Sequence, residues 1–127
     1  MIDHASLTVV NFERSKLFYQ QALAAIEYQL IEAFSRSGSG APDAAMFGEA
    51  GVPDFVIRTG SIARPPGHVA FRVVSREMVR AFHKAALAAG ATDHGAPGLR
   101  EHYAPDYYAA FVLDPDGYNI EAVCHGK

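Results

Sequence analysis

The chain is poor in the residues that staple or anchor a protein. It holds one cysteine, Cys124, and no tryptophan in 127 residues. A single thiol closes no disulfide within the chain, which excludes a bridge-stabilised secreted scaffold and suits a reducing compartment, by default the cytoplasm. No apolar run approaches the roughly 18–20 residues that cross a bilayer. The start, Met1-Ile2-Asp3-His4, lacks the basic and apolar stretches of an export signal. Positive charge is scarce as well: 11 Lys and Arg stand against 14 Asp and Glu, for a net charge of −3. With no basic cluster to release counterions, a nucleic-acid partner is not expected, and a small-molecule ligand is. Half the residues are hydrophobic and 20% are charged, an ordinary globular mix, so one domain over 1–127 is expected.

What the chain does contain is a repeat. Shifted by 64 positions, residues 4–23 fall on 68–87 with seven identities: His4/His68, Val9/Val73, Val10/Val74, Glu13/Glu77, Phe18/Phe82, Ala22/Ala86 and Leu23/Leu87. Each copy opens with a histidine, continues as a strand and passes into a helix. Self-similarity of this length points to two modules, about 1–60 and 67–127. In the first, Ile2–Val10 alternates as a strand and Asn11 caps a helix over Phe12–Ala24, whose apolar stripe reads Leu17, Phe18, Gln21 and Ala22. Strands follow at Ala25–Phe34, Ala44–Phe47 and Phe55–Arg58, with a polar turn at Ser35–Gly40. Gly60–Gly67 joins the modules. In the second, Gly67–Val74 is a strand, Ser75 caps a helix over Arg76–Ala89, and Gly90 stops it. A short strand near Ala91–His94, a long loop over Gly95–Asp106, and a hairpin of Tyr107–Leu113 with Tyr118–Val123 complete the plan. Asp114-Pro115-Asp116-Gly117 forms the hairpin turn. The order is βαβββ twice, an α+β chain.

Side-chain parity separates two faces of these strands. His4, Ser6 and Thr8 oppose Ala5, Leu7 and Val9; His68, Ala70 and Arg72 oppose Val69, Phe71 and Val73; Asn119, Glu121 and Val123 oppose Ile120, Ala122 and Cys124. The apolar faces suit cover by the helices, which leaves His4, His68 and Glu121 on a common concave face. Two imidazoles and a carboxylate make a facial set that holds a divalent metal with positions left open. The alternative is that the histidines only satisfy backbone groups at strand starts.

The doubled βαβββ plan, the paired histidines and the run Phe111-Val112-Leu113-Asp114-Pro115-Asp116-Gly117-Tyr118-Asn119-Ile120-Glu121 resemble the vicinal oxygen chelate superfamily. That group includes glyoxalase I, bleomycin-resistance proteins, fosfomycin-resistance thiol transferases and extradiol dioxygenases. The stretch from His102 to Phe111 is similar to an uncharacterised glyoxalase-like or dioxygenase-like branch. The resemblance implies an incomplete barrel of two modules, a homodimer, and a metal on His4, His68 and Glu121; Gly60–Gly67 is a candidate hinge for exchange of modules between protomers, which the sequence leaves open. It implies an enzyme acting on a small molecule with vicinal oxygens, of lyase, isomerase, thiol transferase or dioxygenase type. Manganese, iron, nickel, zinc and magnesium all suit such a donor set. The second reading is a metal-free binding protein of bleomycin-resistance type, with Phe34, Phe47, Phe55, Tyr107 and Phe111 as an apolar cleft. Matching Gly117-x-x-x-Glu121 to Gly51-x-x-x-Phe55 makes Phe55 the first-module mate of Glu121, which removes the second carboxylate of glyoxalase I.

Arg58 and Arg72 are candidates to grip an anionic substrate group. Tyr107 and Tyr108 face opposite ways, so at most one of them enters the cavity, as hydrogen-bond donor, acid or ligand contact, and the sequence leaves open which. His102 and Tyr103 belong to the long loop, where a lid or cavity wall is expected. His83 reads as structural, His94 and His125 as exposed, and Cys124 as a packing residue.

Overall fold

Each histidine-headed repeat folds as one βαβββ module in the computed structural model, which describes residues 1–35, 38, 40–62 and 64–127. The first contains β1 (Ala5–Val9), α1 (Phe12–Ala24), β2 (Gln29–Phe34), β3 (Ala44–Glu49) and β4 (Val52–Thr59). The second contains β5 (His68–Arg72), α2 (Arg76–Ala88), β6 (Thr92–Leu99), β7 (Tyr108–Leu113) and β8 (Asn119–Cys124). Arg36, Ser37 and Ser39 of the expected polar turn, and Ala63 of the expected joint, lie outside the described residues.

Local chemistry sets the helix ends. Asn11 Oδ1 accepts from the Arg14 N–H at 3.1 Å and Ser75 Oγ from the Met78 N–H at 3.2 Å, each satisfying one orphan donor of a first turn. Beyond α2 the chain turns at Gly90, whose φ of +107° favours a residue without Cβ. The buried face of α1 is Phe12, Ser15, Phe18, Tyr19, Ala22 and Leu23. Leu17, expected in the apolar stripe, is 55% exposed, because Tyr19 rather than Leu17 turns inward.

The strands form two four-stranded sheets, ordered β1-β4-β3-β2 and β5-β8-β7-β6. In each, the histidine-headed strand is an edge, parallel to the last strand of its module and otherwise surrounded by antiparallel pairs. The expected parity holds: Leu7, Val9, Phe55, Ile57, Phe71, Ile120 and Ala122 are buried, while Ser6, Arg58, His68 and Arg72 are exposed. The long loop expected from Gly95 is shorter than its glycines and Pro97 suggest. β6 runs to Leu99, accommodating Gly95, Pro97 and Gly98 through irregularities in its pairing with β7.

One core spans both modules. Phe55 packs edge-on against Tyr19 at 5.0 Å and against Phe71 of the other module at 5.3 Å. Such pairs add about 0.5–1.5 kcal/mol each beyond their burial. The 114–117 turn also ties the modules. Asp114 accepts from the buried Tyr19 hydroxyl and from the N–H groups of Asp116 and Tyr118 at 2.8 and 2.9 Å. Asp116 accepts from the Val10 N–H at 3.1 Å and pairs with Arg14 at 2.9 Å. The Tyr118 hydroxyl donates to the Thr8 carbonyl at 2.7 Å. Among the described residues no helix is long and apolar enough to cross a membrane.

Candidate functional site

β8 aligns beside β5 so that His68 pairs with Asn119 and Ala70 with Glu121. On its other side β8 sets Phe111 of β7 opposite Glu121. Parity then brings His68, Glu121, Phe111 and Tyr107 to one face. They line a cavity of about 420 Å³ together with Tyr103 and Asn119. Glu121 is 2% exposed, so its carboxylate is held by neighbours rather than by water. One oxygen, Oε1, lies 3.0 Å from His68 Nε2, and the other accepts from the Tyr107 hydroxyl. Burial and the Glu121 carboxylate push that hydroxyl up to about 12, so Tyr107 stays protonated and donating at neutral pH.

The far nitrogen of His68 settles the chemistry of this contact. Nδ1 lies 2.9 Å from the Asn119 carbonyl oxygen, which only accepts, so Nδ1 carries a proton. A neutral His68 then turns the Nε2 lone pair onto a carboxylate oxygen. Lone pair against lone pair at 3.0 Å is repulsive unless a cation lies between them, either a proton or a metal ion. Ligand nitrogen and oxygen atoms about 2.0–2.2 Å from one ion at a right angle are themselves about 3 Å apart. The carbonyl behind Nδ1 is the usual orienting partner of a metal-bound imidazole. Asn119 Oδ1 is buried without a hydrogen-bond partner beside the same cavity. Two donors therefore fit a metal; a third does not join them. Among the described residues no group of three or more His, Cys, Asp or Glu is arranged to hold an ion. His4 instead lines a neighbouring cavity of about 460 Å³ with His68, Asp54 and Arg72, and its Nδ1 contacts Asp3 at 2.7 Å.

Register corrects the Phe55 assignment. Ala5 pairs with Phe55 as its repeat mate Val69 pairs with Ile120, so Phe55 corresponds to Ile120 and the counterpart of Glu121 is Val56. Phe55 is a core residue, 1% exposed, that backs the His4 cavity from the apolar side. The first module still offers no carboxylate there. Tyr108 is turned away from the site: its ring lies 4.9 Å from the Arg76 guanidinium and its hydroxyl accepts from Arg80 at 3.3 Å. Arg72 reaches the His4 cavity, whereas Arg58 is exposed outside both cavities. His102 is exposed with its ring 4.2 Å from Tyr103, whose ring meets Tyr107 edge-on at 5.0 Å. His83 bonds Asp93 at 2.9 Å, Cys124 is buried, and His94 and His125 are exposed, the latter with its ring against Tyr107 at 5.1 Å. Sequence reasoning missed Asn119 as a cavity residue, although it shares the concave parity of Glu121.

A family model for the Glyoxalase/Bleomycin resistance protein/Dioxygenase superfamily matches residues 1–122. Among solved structures, a glyoxalase/bleomycin resistance protein from Albidiferax ferrireducens is 26% identical with a TM-score of 0.76, each chain being 98% covered. A glyoxalase I mutant from Zea mays is 21% identical at a TM-score of 0.73, over 96% of this chain and 46% of that one. A mutant of the fosfomycin resistance protein FosX from Listeria monocytogenes, complexed with Mn(II) and a dihydroxypropylphosphonic acid, is 19% identical at 0.71, over 100% and 93%. Among curated proteins none matches the chain. With the doubled βαβββ frame and a family match over nearly its whole length, the chain belongs to the glyoxalase/bleomycin resistance protein/dioxygenase superfamily.

Proposed function

We propose that this chain is a divalent-metal-dependent enzyme acting on a small molecule with vicinal oxygens, with His68 and Glu121 as metal ligands and His4 as the third ligand that would have to join them from the neighbouring cavity. The observation that carries the reading is the 3.0 Å approach of His68 Nε2 to Glu121 Oε1 with Nδ1 committed to a carbonyl. A bound divalent ion would polarise a coordinated oxygen of the ligand. The chain's own residues do the rest. Glu121 supplies the negative charge that offsets the cation, and Tyr107 fixes the carboxylate by donating to its second oxygen. With its one proton on Glu121, the same hydroxyl stands at the cavity wall as a hydrogen-bond acceptor for substrate, and Phe111 and Tyr103 bound the space around it. Arg72, on the His4 side of His68, is placed to greet a negatively charged substrate group.

Elemental analysis of purified protein, with chelator-treated and reloaded samples, tests the reading. Stoichiometric uptake by wild type that is lost in Glu121→Gln supports it. No uptake at saturating metal overturns it in favour of the second reading, a metal-free binding protein, which the separation of His4 from the His68–Glu121 pair favours. We further infer a homodimer, supported by the exposed apolar Val10 and Val74, repeat mates at 58% and 88% exposure. Light scattering at micromolar concentration reports it directly, and a monomer there removes it.

A further inference from the structure

Arg100 begins the loop that carries Tyr103 and Tyr107. Its backbone N–H donates to the Tyr107 carbonyl at 2.7 Å, and its own carbonyl accepts from Tyr103 at 2.9 Å. The side chain folds back over β6. Its guanidinium lies 5.4 Å from the centroid of Phe111, the ring that also neighbours His68 at 6.2 Å and whose backbone is paired with Glu121.

The floor beneath the guanidinium is bare backbone. A Cβ on Gly95 would come within 3.1 Å of Arg100 Nη2 and 2.9 Å of Phe111, and a Cβ on Gly98 within 3.1 Å of Nη1. Two glycines three positions apart therefore leave the space that the two terminal nitrogens occupy. One hydrogen bond fixes it there, from Nη2 to the Ala96 carbonyl at 2.8 Å. Among the described residues no carboxylate pairs with Arg100, although Arg14, Lys16 and Arg76 each have an acidic partner. The side chain is half-buried, so the positive charge is oriented, partly dehydrated and not neutralised.

We propose that Arg100 is an anion-binding residue of the site, gripping a carboxylate or phosphate group on the small molecule whose reacting end meets His68, Tyr107 and Glu121. A guanidinium held over the Phe111 ring and by the Ala96 hydrogen bond keeps its remaining N–H groups for two-pronged contact with an oxyanion. Through Phe111, which lines the cavity, it also brings positive charge toward the buried acid Glu121, which by itself repels an anionic ligand. The substrate class is thereby narrowed to molecules carrying a second, anionic group about one aromatic ring away from the reacting oxygens. The inference rests on the proposed site but needs no metal.

Metal-free protein, kept in chelator, is titrated separately with malonate and with inorganic phosphate. Side-chain nitrogen resonances of Arg100 and ring resonances of Phe111 are followed by NMR. Saturable shifts of both are expected, and whichever probe binds more tightly names the group. Arg100→Gln should weaken binding roughly tenfold or more, the scale of a lost charge-assisted contact. Gly98→Ala keeps the charge but intrudes on Nη1, so it should weaken binding while the fold, read from the methyl spectrum, persists. Unchanged affinity in both variants, or shifts confined to Arg58 and Arg72, overturns the proposal. Because metal uptake is measured apart from anion binding, the loss of one reading leaves the other standing.

Discussion

Strand pairing lets the two modules be compared residue by residue. The pair Ala5–Phe55 corresponds to Val69–Ile120, so the concave face holds Val56 in the first module where the second holds Glu121. One strand further, Met46 opposite Val56 corresponds to Phe111 opposite Glu121. Glu32 opposite Met46 takes the place of Gly95 opposite Phe111, and Phe34 opposite Ala44 that of Gly98 opposite Ala109. The backbone repeats while the chemistry does not. The second module has collected the buried carboxylate, its tyrosine donor and the glycine slot, and the first has kept a histidine but carries Val56, Met46 and Glu32 at the matching positions. Duplication of a βαβββ frame supplies two equivalent concave surfaces, but only one needs a charge. A buried carboxylate needs partners for both oxygens, and only the module with His68 and Tyr107 provides them.

The largest test of this asymmetry exchanges the same residue into both modules. Glu121→Gln is expected to lower metal affinity by about a hundredfold or more, because it removes a ligand charge and not merely an outer-shell partner, whose loss costs about 10–100-fold. Val56→Gln, at the counterpart position, is expected to leave affinity within experimental error. Equal losses in the two variants, read by competition with a chelating dye, would mean that both concave faces contribute.

A smaller effect separates the two adjacent tyrosines. Tyr107→Phe removes the donor to Glu121, so metal affinity should fall about 10–100-fold, within the range for groups that orient ligands. Tyr108→Phe loses only the hydroxyl that accepts from Arg80 on the helix side, keeps the ring against Arg76, and should leave affinity unchanged. The reverse ranking would put Tyr108 in the cavity and the β7 register one residue out.

Much of this geometry is written in local patterns. Asn11 and Ser75 cap where short polar side chains should, and the parity that gathers Ser6, His68 and Glu121 on one side is the plain alternation of strands. Phe55 shows where local reading stops. Anchoring on Gly51 and Gly117 assumes equal turns, yet the register of β3 on β4 shifts between Phe47 and Gly48, and that single irregularity moves the match from Val56 to Phe55. Gly95 and Gly98 likewise look like loop punctuation because their absent side chains are explained only by Arg100, five and two residues onward. His4 carries the right parity, but it shares with His68 a cavity that Glu121 does not line, and which residues of two separate sheets border one cavity is not encoded in any strand pattern.

The helices extend the comparison to stability. Repeat mates Tyr19 and His83 each hold an aspartate, but Tyr19 reaches across the module boundary to Asp114 while His83 stays within its own module on Asp93. Tyr19→Phe strips a buried carboxylate of one of its three donors, at about 1–3 kcal/mol, or several degrees in Tm. His83→Gln, on a pair open to water, should cost far less. Comparable melting shifts would show that the boundary between modules is no tighter than the surface.

The same two aspartates give the finest distinction, in the sign of a pH dependence. Burial, the largest influence, raises the Asp114 carboxyl above its ordinary value despite its hydrogen bonds. The folded chain then holds that proton more firmly than the unfolded chain does. Its contribution is complete below the unfolded value and is lost as pH rises through the raised one. Asp93 runs the other way. The His83 hydrogen bond, followed by the Gly95 N–H, lowers its carboxyl below the ordinary value, so its contribution is present above the unfolded value and fades as pH falls through the lowered one. Melting temperatures across the carboxylate range should therefore show Asp93→Asn flattening the acid-side fall. Asp114→Asn should remove a decline on the higher-pH side of that range. His83→Gln provides the control, since it should reproduce the Asp93→Asn profile without touching the module boundary. Identical profiles for Asp93→Asn and Asp114→Asn would mean that the two environments do not differ, and the contrast between a boundary carboxylate and a surface one would be lost.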